Sequence, residues 1–263
     1  MTYRSYGEYA YFHSDKNQPP VFKGDKGLEG HASKAWSDMY GKRDYERVDA
    51  FIGELHAAEK GDNWPAYMVM SLGEDHTRGG QVGWFTPNAC VASNDLALGK
   101  IVEAVSHSKF WPNTAIFVME DDAQDGPDHV DAHRTAGFVI SPYTRRHAVD
   151  STLYTTASFV HSMELMLKLP PMTQYDSSAT PVFNALTETP DLAPFDHVAP
   201  RIDLADKNKP NGPDAEASAK LDFSGYDLCD PAVLNGILWH MFKPGSPLPA
   251  PVRSVHWLGC ARD

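Results

Sequence analysis

Cysteine is scarce: Cys90, Cys229 and Cys260 are the three in 263 residues, and they stand far apart with no CxxC pair. Neither a disulfide framework nor a thiolate zinc knuckle is expected. No apolar run approaches the roughly 20 residues of a membrane-spanning helix, so no membrane span is expected. Basic residues are few beside acidic ones, 23 Lys and Arg against 35 Asp and Glu, for a net charge of -12. A protein that gathers nucleic-acid phosphates brings the opposite charge to them, which argues against nucleic acid as a general partner. The G-x-S-x-G nucleophile elbow, the G-x-G-x-x-G dinucleotide fingerprint and the Walker loop are all missing. The opening stretch MTYRSYGEYAYFHSD lacks a charged-then-apolar leader design, so the chain as it stands reads as cytoplasmic.

What is present is enough apolar residue, 42%, to bury a sizeable core in one domain. Residues 1–43 are polar, aromatic and glycine-dotted without a sustained period, and are expected to be irregular. From Asp44 to about Lys60, Val48, Phe51, Ile52 and Leu55 recur at helical spacing and predict an amphipathic helix. Three short continuous apolar runs, Tyr67–Leu72, Thr114–Met119 and Gly137–Ser141, read as buried strands. Asn94 predicts an N-cap for a helix reaching Ser106. Further helices are expected over Ala157–Leu167, stopped by Pro170-Pro171, and over Pro231–Phe242. This order predicts an α/β fold, a parallel layered sheet with helices on both faces, with residues 44–170 as its core. Residues 171–263 are expected to wrap around that core as a long irregular segment ending in a helix.

The chemistry gathers where two of the runs end. YMVMSL passes into Gly73-Glu74-Asp75-His76-Thr77-Arg78-Gly79, and TAIFVM into EDDAQDGPDHVDAHR, residues 120–134. Ligands of an open parallel sheet bind beyond the carboxyl ends of its strands, so two neighbouring strands would bring both clusters to one edge. Adjacent carboxylates there raise one another's pKa unless a cation neutralises them. A divalent metal held by carboxylate oxygen and imidazole nitrogen is the simple solution. Asp75, Asp121 and Asp122 are the candidate metal ligands. His129 and His133 have the i, i+4 spacing that puts two imidazoles on one helical face, and His76 supplies a third from the other cluster. The bland alternative is a solvated acidic run with surface histidines, the usual meaning of such a charge block. Ser106-His107-Ser108-Lys109 has the S-x-x-K spacing of some acyl-transferring enzymes, without a companion motif. His31 and the Asp44/Arg47 pair read as structural groups, and Arg145-Arg146 as either a surface pair or a holder of an anionic substrate.

The stretches MSLGEDHTRG, NDLALGKIVEAVSHSKFW, TAIFVMEDDAQDGPDHVDAHRT, SPYTRR and LPPMTQYD together resemble the C-terminal part of bacterial phosphoesterase-family proteins. These belong to the phospholipase C and acid phosphatase branch of the alkaline phosphatase superfamily. The resemblance implies an alkaline-phosphatase-like layered sheet and hydrolysis of phosphate esters at a metal site. It implies metal-ligand roles for Asp121 and Asp122, and for Asp75 and His76 a role at the metal or the phosphate. His129 and His133 become candidates for a further ligand or for the leaving-group acid. It also implies that the family's upstream Glu-Asn metal segment and its Ser or Thr nucleophile precede the region where this chain begins, so the chain reads as N-terminally truncated. Family members are often exported, which keeps a periplasmic or secreted origin open.

The leading expectation is therefore a metal-dependent phosphoesterase with a reduced site. Its cofactor would be a divalent ion, zinc or manganese foremost, with calcium or iron also admitted by such ligands. Its substrate would be a small phosphate ester attacked by a metal-activated water. His76 or His133 would protonate the leaving oxygen, Thr77 is the nearest hydroxyl to serve as a substitute nucleophile, and Arg134 and His129 would hold the phosphate. A second reading is a non-catalytic fragment that binds a metal or anion and pairs with itself or another chain, since missing strands would leave sheet edges open. A third is a carboxylic ester hydrolase using Ser106.

Overall fold

The computed structural model describes residues 1–13, 20–120, 135–212, 214–224 and 228–248. Its described residues form a mixed α/β protein with seven α-helices and three small sheets. They fall into two compact units. The first comprises Met1–Leu72, Asp95–Glu120 and Ala136–Ala199; the second contains Gly73–Asn94 and the described residues from Pro200 onward.

In the first unit, residues 1–43 are not irregular as expected. They hold β1 (Tyr3–Tyr6), β2 (Ala10–His13), β3 (Val21–Gly24) and α1 (Lys34–Asp38). Strands of four residues are too short to display a period, which is why the sequence conceals them. After α1 the chain folds into α2 (Asp44–Gly61), with acidic Asp44 and Glu46 in its first turn and Lys60 in its last, as the helix dipole favours. It stops at Asp62, whose left-handed backbone (φ 53°) ends the hydrogen-bond ladder. β4 (Tyr67–Met70) then pairs in parallel with β1, Tyr3 opposite Tyr67 and Tyr6 opposite Met70.

The core of this unit lies between α2, β1 and the helix α3 (Pro87–Ser106). Tyr6, Trp36, Val48, Phe51, Leu55 and Trp111 are almost wholly buried in one cluster, and Val48, Phe51 and Leu55 are three of the four positions predicted from helical spacing. Ile52, the fourth, packs against that cluster while only partly buried. Edge-to-face contacts of Tyr6 with Trp36 and Phe51 (ring centroids 5.9 and 5.2 Å apart) order the centre.

β5 (Ile116–Met119) pairs with β6 (Gly137–Ile140), and the pair is antiparallel, not parallel. A parallel pair requires a crossover connection, usually a helix packed on the sheet, whereas consecutive antiparallel strands require none. Among the described residues β4 and β5 share no ladder: β1 takes the edge of β4, and β6 that of β5. Nor are these strands buried as predicted. β4 and most of β5 are half-buried, and Phe138 of β6 is 53% exposed, because each ribbon has two strands among the described residues. α4 (Thr156–Leu167) begins at Thr155, whose N–H donates to Ser158 Oγ (3.0 Å), and ends at Lys168 with a left-handed backbone, ahead of Pro170-Pro171. α5 (Gln174–Ser178) follows, so the segment after residue 170 is structured from its start.

The second unit begins with the turn Gly73–Gly79 and the loop leading to α3 (Pro87–Ser106). α3 starts seven residues before the expected Asn94. Thr86 Oγ1 accepts the Ala89 N–H (3.3 Å), and Pro87 fills the first helical position, where a missing N–H costs nothing. Residues 87–94 of α3 belong to this unit and residues 95–106 to the first. α6 (Ala215–Ser218) packs on α7 (Pro231–Phe242), whose bounds match the sequence expectation; Asp230 Oδ1 caps it, accepting from Ala232 and Val233 N–H groups at 2.9 and 3.2 Å.

Asn208 ties the unit together. Its Nδ2 donates to the carbonyls of Gly79 (2.8 Å), Gln81 (3.1 Å) and Phe85 (3.3 Å), while its backbone exchanges hydrogen bonds with Trp84 and Gly83. Gly80 N–H donates to Ser218 Oγ (2.8 Å), fixing the loop to α6.

Candidate functional site

The chain leaves β4 through Ser71 and Leu72 and enters a single 3₁₀ turn, Glu74–His76. Glu74, Asp75, His76 and Thr77 are all half-buried, so four polar side chains in sequence are partly shielded from water. Thr77 carries a positive φ of 51°, an uncommon conformation for a β-branched side chain, which is held by the surrounding structure. Its N–H donates to Glu74 O (3.1 Å), and its Oγ1 accepts the Gly79 N–H (3.1 Å). Arg78 stacks its guanidinium 3.9 Å from the centre of the Trp84 ring.

Two residues of α3 close on this turn. Ser93, fully buried, donates its hydroxyl to Glu74 Oε2, and Asn94 Nδ2 donates to Asp75 Oδ1 (3.4 Å). Asn94 is thus not a cap but a mid-helix side chain aimed at a carboxylate. Ser and Asn are poor helix formers in a helix interior, and that local mismatch is the signal that could have pointed to a role for the pair. Glu74 is the other residue that the sequence reading passed over in favour of its neighbour Asp75.

Of the predicted site residues, the structure brings Asp75, His76 and Thr77 together in this turn. Asp121, Asp122, His129, His133 and Arg134 lie outside the described residues. The base of that segment is described: Glu120 N–H donates to Ala136 O (3.0 Å), extending the β5–β6 ladder by one bond. Among the described residues no group of three His, Cys, Asp or Glu side chains is placed to hold a metal ion. Of the three predicted metal ligands, Asp75 is therefore the one that lies among the described residues, with Glu74 and His76 beside it in the turn.

The Ser106 reading meets a different environment. Ser106 is 4% exposed, accepts the Phe195 N–H (2.9 Å) and lies within bonding distance of the carbonyls of Glu103 and Phe195, which gives it a structural task. Lys109 pairs instead with Asp62 (3.0 Å). His31 stacks on Tyr3, Arg47 lies over the Trp36 ring, and Arg145 donates to Leu186 O, so these groups also serve the fold. Arg146 lies 4.5 Å from the Phe195 ring centre.

No family model matches the chain, and no curated protein matches it. Among the described residues no helix is long and apolar enough to cross a membrane.

Proposed function

We propose that the turn after β4, together with the acidic segment after β5, forms a divalent-metal site that hydrolyses small phosphate esters. The observation that carries this reading is the turn itself: Asp75 and His76 are half-buried side by side, braced by Asn94 and followed by a strained Thr77. Strained backbone concentrates at functional sites, and a carboxylate oriented by a second side chain is the usual support of a metal ligand. The remaining ligands would be Asp121 and Asp122.

A divalent ion held there supplies positive charge that polarises a phosphoryl oxygen and acidifies a water. The protein's own part is positional. Asp75 binds, Asn94 fixes its rotamer, and Arg134 and His129 hold the non-bridging phosphate oxygens. His76 or His133 gives a proton to the departing alkoxide oxygen. The Thr77 hydroxyl, anchored by Gly79, is the alternative nucleophile. Alkaline-phosphatase-like layering belongs to this proposal too. The test is hydrolysis of p-nitrophenyl phosphate and bis-p-nitrophenyl phosphate by the full chain, before and after complete metal removal and after adding back Zn²⁺ or Mn²⁺. Loss and recovery of turnover, with Asp75→Asn inactive, is the expected result; turnover indifferent to metal removal overturns it.

The second reading, association without turnover, is favoured by the ribbon β5–β6. Phe138 and Met119 are exposed there, and among the described residues no third strand covers either edge. A dimeric mass in solution, with metal binding but no hydrolysis, supports it over the first.

A further inference from the structure

The junction between α4 and α5 holds two carboxyl groups that the proposed site does not use. Glu164, near the end of α4, and Asp176, in the first turn of α5, are each only 5% exposed. Both converge on one backbone donor: Met172 N–H donates to Asp176 Oδ2 (2.7 Å) and to Glu164 Oε1 (3.3 Å). The rest of Asp176 is saturated by the Thr173 N–H (2.8 Å), the Thr173 hydroxyl (2.6 Å) and the Ser177 N–H (3.1 Å), all on Oδ1. Glu164 Oε2, by contrast, is sealed from water and receives no hydrogen bond. A buried carboxylate oxygen without a donor is costly, and two buried carboxylates on one N–H cannot both keep full charge cheaply.

We infer that Glu164 and Asp176 share one proton, so that Glu164 is a neutral acid donating to the Asp176 carboxylate, and that this bond is a pH-sensitive latch for the Lys168–Thr173 turn. A carboxylic acid turns the orphaned oxygen into a donor and removes the like-charge repulsion in one step. Asp176 is the acceptor because its three other donors stabilise the ionised form. The titration directions agree. Burial, then the Asp176 neighbour, push Glu164 above the ordinary glutamate range; the Thr173 hydroxyl and the backbone donors hold Asp176 well below that of aspartate. The other charged or titratable groups on the packed elements are His161 of α4, Lys168 just past its end and Tyr175 of α5; the turn Val182–Ala185 carries none. His161 is occupied with Ala179 O (2.7 Å). On ionisation the proton leaves to solvent, and the two carboxylates then repel across the Met172 N–H.

The sign follows from linkage. A carboxyl group whose folded pKa is raised stabilises the fold below the ordinary glutamate value, about 4.3, and loses that contribution as pH rises through the raised value. Asp176 works in the opposite sense and is lost only in strong acid. The test is amide hydrogen exchange of the full chain, corrected for intrinsic chemistry, with an infrared search for a protonated-carboxyl band that persists above the ordinary glutamate value, about 4.3. Protection of Met172 and Thr173 should fall by up to about tenfold for each pH unit above the Glu164 titration. Glu164→Gln, which mimics the neutral acid, should keep the latch and flatten this dependence. The inference is overturned by wild-type protection that is flat with pH, or by a variant that titrates like wild type. An absent acid band, which needs no variant, also overturns it.

Discussion

Ser93 donates its hydroxyl to the carboxylate of Glu74, so the turn after β4 is braced by a side chain from the interior of α3. Removing a group that orients a metal ligand's neighbourhood typically weakens metal binding by about 10- to 100-fold. Ser93→Ala is therefore expected to leave the helical circular-dichroism spectrum intact while weakening Zn²⁺ or Mn²⁺ binding in isothermal titration. Unchanged affinity in a folded variant counts against the turn as a ligand source.

Asn208 is the keystone of the second unit, with one amide serving three carbonyls at 8% exposure. Asn208→Ala leaves buried acceptors without donors and should cost about 1–3 kcal/mol. Urea unfolding, with amide exchange at residues 79–85 to localise the loss, measures it. A change confined to the first unit contradicts this assignment.

Glu54 gathers four donors: Arg4 Nε (2.9 Å) and Nη2 (2.7 Å), Tyr6 OH (2.9 Å) and Ser33 Oγ (2.7 Å). Burial works to raise its pKa, but the Arg4 and Ser33 bonds outweigh it and the carboxyl lies below the ordinary range; burial and then Glu54 push the Tyr6 hydroxyl upward. A lowered carboxyl contributes stability above the ordinary glutamate value and loses it as pH falls through the lowered one. Glu54→Gln should cost about 2 kcal/mol at neutral pH and progressively less as pH falls below the ordinary glutamate value, read from urea unfolding across that range.

The segment around Phe195 is strapped to α3 by two opposed pairs. Glu103 Oε2 meets His197 Nδ1 (2.6 Å), and His107 Nε2 meets Asp196 Oδ1 (3.5 Å), while Phe195 packs edge-on to Trp111. The His197 hydrogen bond holds Glu103 below the ordinary glutamate range, so its contribution persists at neutral pH and fades in acid. Both pairs are solvent-screened, so Glu103→Gln should speed exchange of the Phe195 amide by only roughly two- to fivefold near pH 6, and by less in strong acid. A larger effect would mean that the strap depends on the pair more than its exposure allows.

Elements with a long apolar period were legible from sequence. α2, α4 and α7 lie within a residue of where the spacing of residues such as Val48 and Leu55 puts them, because a helix must face its apolar stripe inward. α3 was misplaced at its start because Asn94 is a good cap in isolation, whereas Thr86-Pro87 is the pair that caps it. β1 was invisible: its residues, Tyr-Arg-Ser-Tyr, form a strand only because β4 offers a parallel partner. The turn Glu74–Thr77 was found from its residue types alone, but its braces, Ser93 and Asn94, come from nearly twenty residues away.

Composition and periodicity by themselves determined the α/β character, the main helices and the polar turn after β4, since these follow from local spacing and side-chain chemistry. Only the tertiary structure decided which strands pair, in which direction, and which half-buried carboxylate receives which donor. Those choices depend on contacts between residues far apart in the chain, where packing and the need to satisfy buried polar atoms override local preference.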